Sequence, residues 1–142
     1  MSHATASIEI EAPIKKVFEV ISDFEAYPDF LNETREVIVE KKSGKGARVT
    51  FTINLIKKIK YTLDIKLNPP SGLSWSLVEG DLMKANNGGW KLHEVKKGIT
   101  QATYEIDMDL GSMVPKAISN KLIGTNLPTM MKQFKERAEE LA

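Results

Sequence analysis

From Gln101 to Leu110 apolar and polar residues alternate without a break. Ala102, Tyr104, Ile106, Met108 and Leu110 share one face, and Thr103, Glu105, Asp107 and Asp109 share the other. A period of two describes a strand with one buried face. The same period recurs through most of the chain. Ile8 and Ile10 carry it between Ala6 and Glu11, and Val37 and Val39 oppose Ile38 between Arg35 and Lys42. Val49, Phe51, Ile53 and Leu55 form a third run, and Tyr61, Leu63, Ile65 and Leu67 a fourth. Leu73, Trp75 and Leu77 open a strand ending near Gly80, and Trp90 and Leu92 begin another. Ser43-Gly44-Lys45-Gly46, Asn68 to Gly72, Asn86-Asn87-Gly88-Gly89 and Lys96-Lys97-Gly98 read as the turns or breaks between them.

Two stretches change period. Pro13 suits the first turn of a helix whose apolar face is Ile14, Val17, Phe18, Ile21 and Phe24. Tyr27-Pro28 stops it, and Pro28 to Leu31 starts a second, short helix. At the other end, Ser112 is a good N-cap and Pro115 fits a first turn. Ile123, Leu127, Met130, Met131, Phe134, Ala138 and Leu141 then recur at three and four. Val114, Ala117, Ile118 and Leu122 centre on the opposite side of the wheel. Gly124 and Pro128 mark the change, because Pro128 cannot donate a hydrogen bond to the Gly124 carbonyl. A kink is expected there. It is either a bend that follows a twisted sheet or a hinge that lets the segment before it move as a gate.

The order is strand, two short helices, about six strands, long helix. Strands joined by short turns pair antiparallel, and a sheet with one polar face needs a cover on one side only. The expectation is therefore an α+β domain in which the helices cover one face of an antiparallel sheet. A length of 142 residues predicts one domain spanning residues 1–142. With 27% charged residues and a net charge of +1 there is no electrostatic case for a nucleic-acid partner. The absence of cysteine removes disulfides and thiolate metal sites. No apolar run approaches the ~18 residues of a membrane span, and the first residues lack the features of a signal peptide. The expected location is the cytoplasm.

Candidates for chemistry are few. His3 reads as part of a terminal tail, and His93 follows Leu92 on the opposite, outward face. No serine motif, phosphate loop or metal-binding pair of histidines is present. Glu105, Asp107 and Asp109 form a solvated row, unless a one-residue slip in register turns them inward. These residues supply no catalytic set and no expected metal or cofactor. Leu55-Ile56-Lys57-Lys58-Ile59-Lys60 stands apart. It is either a charged hairpin tip or a surface for transient membrane contact through Lys57, Lys58 and Lys60.

Ala12-Pro13-Ile14-Lys15-Lys16-Val17-Phe18, with Asp23-Phe24 and Tyr27-Pro28, resembles the opening motif of the START-like superfamily, the birch-pollen-allergen fold. Ser74-Trp75, Val78-Glu79-Gly80 and Gly89-Trp90-Lys91-Leu92 resemble the middle of its coenzyme Q-binding and ribosome-association-toxin branch. Val114-Pro115 and the last helix resemble its end. The resemblance implies the helix-grip form of an α+β fold: a curved antiparallel sheet of about seven strands wrapped around a long C-terminal helix, with two short helices after the first strand and a cavity between sheet and helix. Phe51, Tyr61, Leu63, Trp75, Trp90, Tyr104 and Met108 from the sheet, and Ile123, Leu127 and Met130 from the helix, are the residues expected to line it. Any packed core contains such residues, but aromatic and methionine side chains also suit an apolar ligand. The function so implied is that of a carrier or chaperone for a lipid, isoprenoid quinone or polyketide-like molecule. An aromatase/cyclase-type enzyme and a protein-interaction module resembling the ribosome-association toxin are the alternatives. The lack of a catalytic constellation leans away from an enzyme.

Overall fold

The computed structural model describes residues 2–54, 57–111, 114–120, 124 and 126–142. Its strands are β1 (Ser2–Ile10), β2 (Thr34–Lys42), β3 (Gly46–Asn54), β4 (Lys58–Asn68), β5 (Gly72–Gly80), β6 (Ala85–Lys96) and β7 (Ile99–Asp109). They form one seven-stranded sheet in the order β1-β7-β6-β5-β4-β3-β2, with each neighbouring pair antiparallel. Strands β2 to β7 are sequential hairpin neighbours, as short turns between alternating runs require. Only β1 pairs out of order, closing on β7. Helices α1 (Ile14–Ser22) and α2 (Tyr27–Phe30) link β1 to β2, and α3 (Lys116–Asn120) and α4 (Asn126–Leu141) end the chain. The curved sheet turns its apolar face toward α4, which packs on β1, α1 and α2.

The register settles which side chains face inward. Ala102 lies opposite Leu92 and Ile8, and Tyr104 lies opposite Trp90 and Ala6. The inner face is therefore that of Tyr104, Ile106 and Met108, while Glu105, Asp107 and Asp109 stay on the outer face as the alternation predicts. His93 is exposed on that outer face, and Ile38 is exposed opposite Val37 and Val39. The core joins Val17, Ile21 and Phe24 of the α1 region to Phe134 and Ala138 of α4 and to Val49, Ile65 and Ala102 of the sheet.

Four elements differ from the sequence reading. Strand β1 begins at Ser2, so His3 is no tail residue. Its Nδ1 lies 2.7 Å from Asp107 Oδ1 across the β1–β7 pairing. Helix α1 ends at Ser22; Phe24 lies in a separate 3₁₀ turn, Phe24–Ala26. Tyr27 and Pro28 open α2 instead of stopping α1, since a proline in the first turn removes an N–H that has no partner there. Strand β6 starts at Ala85, so Asn86-Asn87-Gly88-Gly89 lies within it, paired with β5 and β7. Glycine serves close approach there: a Cβ on Gly89 would lie 2.6 Å from the Leu73 carbonyl oxygen.

The C-terminal helix is recorded as two segments. Gly124, between them, has the wider π-type winding, and Pro128 is the third residue of α4. Ser112, Met113, Lys121, Leu122, Ile123 and Thr125 lie outside the described residues, and so does the place before Gly124 where the apolar stripe changes sides. At the β3–β4 hairpin Lys57, Lys58 and Lys60 are exposed, while Leu55 and Ile56 lie outside the described residues. Among the described residues, no helix is long and apolar enough to cross a membrane, and no cluster of side chains suits a metal ion.

Candidate functional site

A cavity of about 180 Å³ lies between the inner face of the sheet and the first half of α4. Of the residues predicted to line it, Phe51, Tyr61, Leu63, Trp75, Trp90, Tyr104 and Met108 do so from the sheet, and Leu127 and Met130 do so from α4. Ile123 lies outside the described residues. Alternation accounts for the first seven: each occupies the inward position of its strand. Leu127 and Met130 are three apart on α4 and so share one stripe.

Aromatic rings form a continuous arc along this wall. Tyr61 stacks on Phe51 at 5.5 Å, and Phe51 meets Tyr27 at 6.0 Å. Tyr27 packs edge-on against Phe134 at 5.3 Å, and Phe134 against Trp90 at 5.1 Å. Trp90 meets Tyr104 at 5.1 Å, and Tyr104 meets Trp75 at 5.3 Å. Such contacts are worth about 0.5–1.5 kcal/mol each beyond area burial, so the arc holds its own shape. Strands β3, β4, β5, β6 and β7, the helix α2 and the helix α4 each contribute at least one ring.

The polar atoms of the wall fall into two groups. Some are occupied by the protein. The Tyr27 hydroxyl donates to the Ile21 carbonyl, and the Trp75 indole N–H donates to Asn86 Oδ1 at 2.9 Å. Others are open. Among the described residues, the hydroxyls of Tyr61 and Tyr104 and the indole N–H of Trp90 have no hydrogen-bond partner, yet no fully buried side-chain nitrogen or oxygen is left without one. All three atoms therefore keep some accessible surface, and their rings line the cavity. Burial pushes the phenol pKa values of Tyr61 and Tyr104 well above the ordinary 10.0, and each ring stays neutral and able to donate at physiological pH.

The mouth is set by lining residues that keep solvent exposure. Asn32 precedes β2, and Thr129 lies on α4; both are exposed. Glu33, Asn126 and Gln133 stand partly exposed beside them. The rim is thus amide-rich, with one carboxylate. Alternation could not reveal these residues, since they sit in the α2–β2 connection and on the flank of α4. Asn86 was also missed. It is 3% exposed and reads locally as a turn residue, but β6 carries it under Trp75.

An apolar, aromatic cavity with a few directed donors is held between the sheet and the C-terminal helix; comparisons with known proteins bear on the fold and the family. Residues 10–135 match the family "Polyketide cyclase / dehydrase and lipid transport". The chain belongs to that family. Among curated proteins, the chain is similar to the "Ribosome association toxin RatA" of Pseudomonas aeruginosa at 22% identity, covering 99% of this chain and 97% of that protein. Among solved structures, the Zhui aromatase/cyclase from Streptomyces sp. R1128 superposes with a TM-score of 0.88 at 17% identity, over 98% of this chain and 94% of that one. A START superfamily protein from Mycobacterium smegmatis gives 0.86 at 17% identity over 99% of both chains. At these identities the structural likenesses establish the helix-grip fold alone. The family spans binding proteins and enzymes, so the choice between them rests on the cavity itself.

Proposed function

We propose that the chain binds an apolar small molecule in the cavity between sheet and α4, as a carrier or chaperone and not as a catalyst. The arc of rings from Tyr61 to Trp75 carries this reading. It offers flat apolar faces to a ligand and keeps three donors unspent. Size limits the choice. A cavity of about 150 Å³ is enough for a benzene-sized guest, while drug-sized ligands occupy about 300–1,000 Å³. At about 180 Å³ the resting cavity suits the ring portion of a ligand, and a chain attached to it would leave through the amide-rich mouth. An isoprenoid quinone or a small polyketide-like molecule has that form. Lys57, Lys58 and Lys60 would add about 1 kcal/mol each at an anionic lipid surface during loading.

The test is native mass spectrometry of the purified protein with organic extraction of whatever co-purifies, followed by a blocked variant. Leu127→Trp places a large ring in the cavity, and it should abolish binding of the recovered molecule while near-UV circular dichroism and Tm stay close to wild type. Unchanged affinity in a folded Leu127→Trp protein would overturn the cavity as the site.

A second reading has one observation in its favour. The two phenols in an apolar cavity are suitable proton donors for a cyclisation, the chemistry named for the Zhui relative. Among the described lining residues, the carboxylate available as a base is Glu33, at the rim. Turnover of a linear polyketide-type substrate that falls in a Glu33→Gln variant would favour this reading over carriage.

A further inference from the structure

The wall of the cavity specifies more than an apolar ligand. The open polar atoms of its aromatic arc can all donate: two phenol hydroxyls, which can also accept, and one indole N–H. Its described ionisable groups are the phenols of Tyr27, Tyr61 and Tyr104 and the carboxyl of Glu33, so each is neutral or negative. A carboxylate or phosphate placed inside would leave water for a site whose one described charge repels it. A neutral oxygen acceptor meets the opposite situation. It satisfies donors that otherwise face an apolar space, where an unmade hydrogen bond is costly.

Position adds to the chemistry. Tyr61 and Tyr104 stand at opposite parts of the arc, Tyr61 on the side of Phe51 and Tyr104 between Trp75 and Trp90. A flat body lying along the rings brings oxygens on its two edges toward different hydroxyls. We infer that this cavity selects a flat, uncharged ligand whose carbonyl-type oxygens accept hydrogen bonds from the Tyr61 and Tyr104 hydroxyls, and that it rejects carboxylates of the same skeleton. This rests on the cavity being a ligand site at all.

Three probes with one two-ring skeleton separate the possibilities: 2-acetylnaphthalene, 2-ethylnaphthalene and 2-naphthoate, each titrated calorimetrically at pH 7 against wild type, Tyr61→Phe and Tyr104→Phe. The phenylalanine variants keep the rings and the arc and remove only the hydroxyls. The ketone should lose about three- to tenfold in affinity in at least one variant, the scale of one hydrogen bond. The hydrocarbon should bind all three proteins alike. Naphthoate should bind wild type at least about a hundredfold more weakly than the ketone. Equal loss for ketone and hydrocarbon, or no loss for either, overturns the role of the hydroxyls. Naphthoate binding as well as the ketone overturns the selection against charge, while the cavity reading survives. Failure of all three to bind removes the cavity reading and this inference with it.

Discussion

Gly88 sits directly beneath the indole of Trp75 across the β5–β6 pairing. A Cβ built on it would lie 2.7 Å from Trp75 Cζ2 and 2.3 Å from the Glu105 carbonyl oxygen. The second contact is with backbone and cannot be relieved by a rotamer change. Gly88→Ala should therefore push β6 away from β7 or lift Trp75 off its seat, at a cost of about 1–3 kcal/mol. It should also weaken the Trp75–Asn86 hydrogen bond. Gly44→Ala is the control: its Cβ meets nothing within 4 Å, and its stability should change by less than about 0.5 kcal/mol. Urea unfolding of both variants, with Trp emission as the probe, checks the pair. Equal stabilities would mean that the glycine is not needed for the ring.

This pair also shows where the sequence stops being informative. Strand alternation placed Trp75 and Trp90 on the inner face, because a period of two depends only on neighbours along the chain. The same local reading took Asn86 to Gly89 for a break, because Asn and Gly usually mark turns. Their real reason lies across the sheet, in a ring from β5 that needs both a glycine to rest on and an amide oxygen to receive its N–H. Tyr27 is the same case. Beside Pro28 it reads as a helix stop, and only tertiary packing against Phe51 and Phe134 makes it part of the arc. Phe134 was legible as an apolar-stripe residue, but the stripe does not say that its ring joins Tyr27 to Trp90.

The chain has three tyrosines, and all of them line the cavity. Desolvation by burial raises the pKa of each above the ordinary phenol value of 10.0. The native protein should therefore show almost no tyrosinate absorbance at 295 nm at pH 10, where an unfolded chain has half its phenols ionised. The sign of the linkage follows. Below pH 10 the phenols are neutral in both states and do not affect the pH dependence of folding. Above it the unfolded chain ionises first, and stability falls as pH rises toward the higher native values. Tyr104→Phe should make that alkaline loss shallower. Titration of all three tyrosines near pH 10 in a protein with intact circular dichroism would show that the cavity is wetter than its walls indicate.

Pro128 was expected to bend a continuous helix by withholding a hydrogen bond from the Gly124 carbonyl. Two features of the structure change that expectation. Gly124, four residues before Pro128, has π-type winding, in which hydrogen bonds run from i to i+5, so the Gly124 carbonyl is not left waiting for an N–H at position 128. The Pro128 ring is also exposed, so its removal costs little packing. Against this, alanine frees the unfolded chain that proline restricts, an effect of about 0.4–1 kcal/mol in the destabilising direction. Alanine's better helix propensity counts for less where the winding at Gly124 already lacks the i→i+4 bond that proline would break. Pro128→Ala should thus change stability by less than about 1 kcal/mol, measured by urea unfolding, and leave hydrogen exchange of Met131 to Ala138 unaltered. A gain approaching the ~3 kcal/mol that an interior proline costs would mean that an ordinary α-helical turn can run from Gly124 to position 128 and that Pro128 is what prevents it. Leu127 and Met130, cavity-lining residues on either side of Pro128, would then owe their placement to the proline, and the same variant should shift ligand affinity; in the structure described here it should not.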